Sequence, residues 1–312
     1  MVKSDGMSSK PRLSAYLALG CGITFLSLSS LFVRWSTAPG VVTSFYRMAL
    51  AALIIFPVAF SQMKKHGAPS KKVIIFPLLA GVFAALDHAV WSSSVQYTRV
   101  ANATLLNNIS PLWVALIALF IWRERLRGRF WLGLSLTLLG AVIVLGNDLI
   151  LHPHLSNGDL MAVASSLFYA GYFMVTQKGR QSVDAVTHTW IMTLVASFFL
   201  LGVTRAFAMP LTGYPPLTYL SFLGAALLCQ VGGMFSVTYA LGKLPASIVS
   251  PTMIAQPVLT ALLAIPLFGE TLMPGQWIGG LLTLSGIYLL NTNSEANPTP
   301  SIEGVPIPPE TN

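Results

Sequence analysis

An aspartate, a histidine and a tryptophan stand close together at Asp87, His88 and Trp91, inside a run that is otherwise apolar. A charged side chain at the centre of a bilayer costs roughly 2.5–3.5 kcal/mol on insertion scales, so such groups face a protein interior or a wet cavity. Trp91 follows Asp87 by four residues and His88 by three, which puts it on a helical stripe with both. Ser94 and Thr98 extend that stripe. Two readings stand side by side. In one, the stripe is a cavity wall: Trp91 is an aromatic platform, while Asp87 and His88 supply polarity and a group able to carry a proton. In the other, the cluster is polar glue that only holds helices together. Asp87 and His88 are adjacent and point about 100° apart on a helix, so they form no ready-made catalytic dyad.

Other polar residues interrupt other apolar runs. Arg47 is the one cation well inside a run, and its expected role is structural pairing, with Asp87 as the candidate partner and direct substrate contact as the alternative. Thr104, Asn107, Asn108 and Pro111 fall on a narrow arc, and Ser250, Pro251, Gln256 and Pro257 occupy the corresponding region further along. Proline frees a backbone carbonyl and bends a helix. Pro111 and Pro257 are therefore hinge candidates, exposing polar backbone to a cavity or supporting ordinary interhelical hydrogen bonds. Ser165, Tyr169, Tyr172 and Thr176 recur at helical spacing, as do Gln230 and Met234. The candidate cavity set is Asp87, His88, Trp91, Asn108, Tyr169, Tyr172, Gln230, Met234 and Gln256, with Arg47, Pro111 and Pro257 in structural or hinge roles.

Catalytic, metal and cofactor sites are not expected. No GxSxG, HExxH or Walker A sequence occurs. His152 and His154 form a lone HxH, too sparse for a metal centre. Cys21 and Cys229 lie in apolar runs and read as small packing residues, not as a disulfide framework. Asn102 and Asn108 begin N-x-S/T triplets within or beside apolar runs, where glycosylation is not expected.

The elements that must position these residues are membrane-spanning helices. The 312 residues are 54% hydrophobic and 9% charged, against about 25% charged in soluble domains, and the mean hydropathy is +0.70. The net charge of +8 sits between the apolar runs, as topology signals do, and not in a nucleic-acid stripe. A crossing helix needs about 20 apolar residues. Ten runs qualify: 13–33, 41–60, 73–97, 101–122, 130–147, 158–177, 185–205, 218–241, 246–268 and 275–292. Their continuity excludes a β-barrel. The first exceeds a usual signal-peptide core and reads as a retained helix. Of the 18 lysines and arginines, 14 fall in one set of connections, which predicts that both termini are cytoplasmic. Residues 1–12 form the N-terminal segment, and the proline-rich stretch 293–312 reads as a disordered tail.

A shift of 146 residues aligns 111–140 with 257–286. The matches include Pro111/Pro257, Glu124/Glu270, Trp131/Trp277, Gly133/Gly279, Thr137/Thr283 and Gly140/Gly286. Glu124 and Glu270 fall at run ends and read as interface anchors or loop caps. Each copy holds five spans, 13–147 and 158–292, and an odd number of crossings forces the second copy to enter from the opposite face. The fold class is thus all-α integral membrane, with ten helices as two inverted five-helix repeats around a central cavity. Inverted repeats place a site near the midplane and permit alternating access.

The stretch GETLMPGQWIGGLLTLSGIYLL from Gly269 resembles the end of an EamA domain of the drug/metabolite transporter superfamily. WRERLRGRFWLGLSLTLLGAVIVL from Trp122 is a looser copy, with Arg123 where Gly269 stands. Arg47 also resembles an arginine in the second helix of such domains. The resemblance covers nearly the whole chain and extends to amino-acid exporters of the YddG type. It implies a monomeric bacterial inner-membrane exporter of amino acids, aromatic ones included, whose partners are a small-molecule substrate and the lipid bilayer. Other metabolites and organic cations remain alternatives. Sugar-phosphate carriers should show several deep cations, and small multidrug exporters a glutamate in the first span; neither feature is present. An intramembrane enzyme lacks a converging set of reactive groups here, and a channel or receptor does not predict the internal repeat.

Overall fold

In the computed structural model of the protein, the described residues are 9–124, 126–145, 156–268 and 273–292. Most of the N-terminal segment, the tail 293–312, His152, His154 and Glu270 lie outside them. Among the described residues all regular structure is helical. The elements are α1 (Ser9–Ser27), α2 (Ser29–Trp35), α3 (Gly40–His66), α4 (Ile75–Ser94), α5 (Val100–Asn107), α6 (Ser110–Phe120) and α7 (Gly128–Leu145). After these come α8 (Asn157–Gly179), α9 (Ala185–Ala206), α10 (Pro216–Gly224), a π-helical segment (Ala225–Met234), α11 (Phe235–Leu241), α12 (Ala246–Thr252), α13 (Ala255–Phe268) and α14 (Pro274–Thr292).

Seven described helical stretches are long and apolar enough to cross a membrane, against ten expected. The difference is one of length and dilution. The first run is interrupted at Leu28, which leaves Arg12–Ser27 as a shorter apolar helix, and Gly128–Val144 is likewise short. Helix α14 carries Gln276, Thr283, Ser285, Asn291 and Thr292, which lower its hydropathy. Large apolar side chains, among them Leu53, Phe60, Phe198, Leu132, Leu281 and Tyr288, are exposed, as lipid contact requires.

Local chemistry explains where helices start and stop. Ser156 and Asp159 form a reciprocal capping box at the start of α8, the Ser156 side chain accepting from the Asp159 amide and Asp159 Oδ2 accepting from the Ser156 amide. Pro111 cannot donate to the carbonyl of Asn107, so a continuous helix there would lose a bond. The chain instead stops at Asn107 and restarts at Ser110, where proline fits the first turn. A second interruption falls between Thr252 and Ala255, one turn before Pro257. Under the 146-residue shift Asn108 corresponds to Ile254, so both halves break at the same place.

Packing follows the same correspondence. Helix α4 lies against α8 and α9, α3 against α9, α1 against the π segment and α11, and α7 against α14. Adding 146 to α4 gives 221–240, in the π segment and α11, and subtracting it from α8 gives 11–33, mostly in α1. The α4–α8 and α1–π/α11 pairs are therefore one packing arrangement used twice. At the α7–α14 crossing, Gly133 faces the Gly286 carbonyl and Gly140 the Gly279 carbonyl, and each contact is returned from the other side. Connecting α6 and α7, Arg123 adopts a positive φ of 54°, a conformation that glycine takes without strain. The position that matches it in the second copy is Gly269.

Candidate functional site

Asp87 is held from two other helices. Its Oδ1 accepts from Ser165 Oγ on α8 at 2.5 Å and from Asn107 Nδ2 at the end of α5 at 3.0 Å. Asn107 Nδ2 also donates to Ser165 Oγ at 2.7 Å, closing a three-residue ring of polar contacts. Asp87 Oδ2 has no hydrogen-bond partner among the described residues. The break ahead of Pro111 makes this possible, because it ends α5 with the Asn107 side chain turned to α4 and α8. Asn107 is thus the reaching asparagine, where Asn108 was expected. The Asn108 backbone amide donates to the Thr104 carbonyl at 3.0 Å, completing the last turn of α5, and its side chain, one residue round, points about 100° away.

Arg47 departs from its expected partner as well. Its Nε donates to Gln230 Oε1 at 3.0 Å and not to Asp87. Gln230 sits in the π-helical segment, which packs on α3 and presents the amide to the guanidinium. Its Nε2 is buried without a hydrogen-bond partner among the described residues. Arg47 remains within electrostatic range of Asp87, His88 and Tyr169. Arg47, Asp87, His88 and Tyr169 therefore share one electrostatic neighbourhood, and Gln230 is joined to it through its hydrogen bond with Arg47.

The remaining candidates separate from this centre. Trp91, half-buried, packs in an apolar cluster with Ala103, Leu106 and Ala162. Tyr172 is 1% exposed, and its hydroxyl lies 3.2 Å from Thr238 Oγ1. It is an interior packing group: it shares the helix face of Tyr169, whose ring stacks on its own with centroids 6.1 Å apart, and it lies on the core side of that stack. Met234 is buried in that same core. Gln256 Nε2 donates to the Leu26 carbonyl at 3.2 Å, and Thr260 Oγ1 to the Ser27 carbonyl at 3.1 Å. Both satisfy backbone acceptors left open where α1 stops, a need that any helix end has. Pro111 and Pro257 flank the matched interruptions, as described above.

Two residues of the polar ring, Asn107 and Ser165, stand in the polar arcs of the sequence but outside the candidate cavity set. Asn107 precedes Pro111 by four residues, the position whose carbonyl a proline leaves unpaired. Ser165 shares a helical stripe with Tyr169. No cluster of His, Cys, Asp and Glu with metal-site geometry occurs among the described residues. Outside the polar centre, Glu124 accepts from Ser247 Oγ at 3.1 Å, tying the α6–α7 connection to the start of α12. An apolar groove lined by Val144, Val258, Leu262, Trp277 and Leu281 contains none of these polar residues.

Residues 13–146 and 156–292 each match the EamA-like transporter family. A protein of Archaeoglobus fulgidus named as an uncharacterized transporter is 25% identical over 250 residues, 79% of this chain and 86% of its own length. The pseudopaline exporter CntI of Pseudomonas aeruginosa is 28% identical over 202 residues, 62% of this chain and 64% of its own length. One solved crystal structure superposes with a TM-score of 0.77 over 91% of this chain and 99% of that one, at 16% identity. That similarity speaks to the fold.

Proposed function

We propose, from the premise that this chain belongs to the EamA-like transporter family, that it exports small zwitterionic metabolites, amino acids including aromatic ones foremost, by alternating access. It is a multi-pass membrane transporter and not an enzyme. In the proposed arrangement ten helices form two inverted five-helix repeats in a bacterial inner membrane, with both termini cytoplasmic and one chain sufficient. The antiparallel glycine crossing, in which Gly133, Gly140, Gly279 and Gly286 exchange contacts under the 146-residue shift, supports the inversion. So do the helix breaks at matching positions, since interrupted helices in paired segments mark binding sites in inverted-repeat transporters.

One observation carries the substrate reading. Asp87, in a span, keeps a carboxylate whose one oxygen is fixed by Ser165 and Asn107 and whose other oxygen is left for a ligand. That geometry suits an ammonium group, and Tyr169 nearby offers a ring face. The export direction draws on the naming of the Pseudomonas relative as an exporter. The amino-acid part rests on the site and not on the names of relatives. An organic cation is the second reading, favoured by the same carboxylate oxygen.

Efflux from proteoliposomes loaded with radiolabelled amino acids tests the proposal. Saturable efflux with counterflow is expected, and unlabelled amino acids should compete. Flux that neither saturates nor shows counterflow would mean a channel. Competition by organic cations alone would replace the substrate class.

A further inference from the structure

We infer that Arg47 and Gln230 together form an anion subsite, which receives the carboxylate of an amphoteric substrate while Asp87 faces its ammonium group. The inference rests on the transport reading above and adds the second pole of the substrate to it. A guanidinium inside a span is costly unless an anion or several acceptors neutralise it. Arg47 donates one of its five N–H groups to a neutral amide, and no carboxylate bonds to it among the described residues. That amide adds no charge. It spends its acceptor on Arg47 and leaves its own Nε2 donor buried and unpartnered.

The result is a cluster of donors with an acceptor missing. Buried polar groups are paired in the great majority of proteins, and an orphan donor beside an unneutralised cation is an exception that calls for a partner. An oxyanion meets both needs at once, because a carboxylate offers two oxygens to a guanidinium edge and an adjoining amide. The opposite charge in the same region, Asp87, has not collapsed onto Arg47. It is held by Asn107 and Ser165. Separate positive and negative groups, each tied to its own neutral neighbours, match a molecule that carries both charges. A purely structural arginine would instead be expected to close on the carboxylate within its range. The π-helical turn that carries Gln230 fits this role as well, since such widened turns recur at functional sites.

Counterflow of L-phenylalanine and of L-phenylalaninamide, which keeps the ammonium group and ring but lacks the carboxylate, is the test. The wild-type protein should prefer the acid by roughly tenfold or more, the range of a hydrogen bond to a charged group. Arg47→Gln should bring that preference near unity by losing phenylalanine flux more than amide flux. Gln230→Glu, near-isosteric, provides an internal carboxylate for Arg47 and removes the unpartnered amide. It should fold at least as well by size-exclusion profile and also lose the preference, which keeps the test decisive if Arg47→Gln does not fold. Wild-type transport of acid and amide at equal rates would overturn the subsite alone. So would a preference that survives in Gln230→Glu. Failure of the wild type to move either compound would remove the amino-acid reading and the subsite with it.

Discussion

Substituting Gly140 by alanine should destabilise the α7–α14 crossing, and the closeness of the two backbones sets the size of the effect. A Cβ at Gly140 would lie 2.3 Å from Thr283 Oγ1, 2.5 Å from the Gly279 carbonyl and 2.5 Å from the Thr283 amide nitrogen. Two of these atoms are backbone and cannot rotate away, so reaching ordinary contact requires the helices to part by about 1 Å. Overpacking of that kind costs about 1–3 kcal/mol, offset by about 0.5–1 kcal/mol that alanine gains over glycine in a helix. Gly286→Ala meets the mirror situation, with Thr137 Oγ1 at 2.4 Å and the Gly133 carbonyl at 2.6 Å. Both substitutions force open the same interface, so the double variant should cost less than the sum of the two. Gly202→Ala is the control, because nothing lies within 4 Å of a Cβ there, and it should be neutral or slightly stabilising. Thermal unfolding in detergent, followed by the loss of the monodisperse size-exclusion peak, reads all four. A Gly140→Ala protein that melts at or above the wild-type temperature, with Gly202→Ala behaving as the control should, would refute this account of the crossing.

Asn107→Leu removes a hydrogen bond to a charged acceptor, worth about 1.5–3 kcal/mol, and should lower transport at least about tenfold, whereas Asn108→Leu should change it little; equal losses in counterflow would undo the distinction between the two asparagines. Glu124 lies outside the spans, and burial raises its carboxyl above the ordinary value of 4.5, opposed in part by the hydrogen bond from Ser247. The folded protein therefore holds that proton more tightly than the unfolded chain does, so the contribution of this group is most favourable below 4.5 and is lost as pH rises through the raised value. Glu124→Gln abolishes the titration, and its melting temperature relative to wild type should climb across that window; a difference independent of pH would contradict the assignment.

Much of the architecture was legible because it is written in one dimension. The density of apolar residues marks a membrane protein without reference to any contact. The register of Pro111, Trp131, Gly133 and Gly140 with Pro257, Trp277, Gly279 and Gly286 exposed the repeat, and with it the EamA resemblance that the family match bears out. Asp87 stood out because a carboxylate is rare among leucines and alanines. Helix continuity was less legible. The interruption at Leu28 falls where a neighbouring helix supplies replacement partners, such as Gln256 for the Leu26 carbonyl, and the π-helical turn at Ala225–Met234 has no signature in the apolar pattern.

What the sequence by itself determined is the class of environment, the family and which residues are too polar to face lipid. Only the tertiary structure decided which of them meet. Asn107 and Asn108 are equivalent in composition and differ by about 100° of helical rotation, and that angle selects the one that reaches Asp87. Arg47 and Gln230 lie 183 residues apart, and no local pattern joins them. Helical periodicity fixes the face on which a side chain stands, but the partner across an interface depends on crossing angle, rotation and the breaks in each helix, which exist only once the helices have packed.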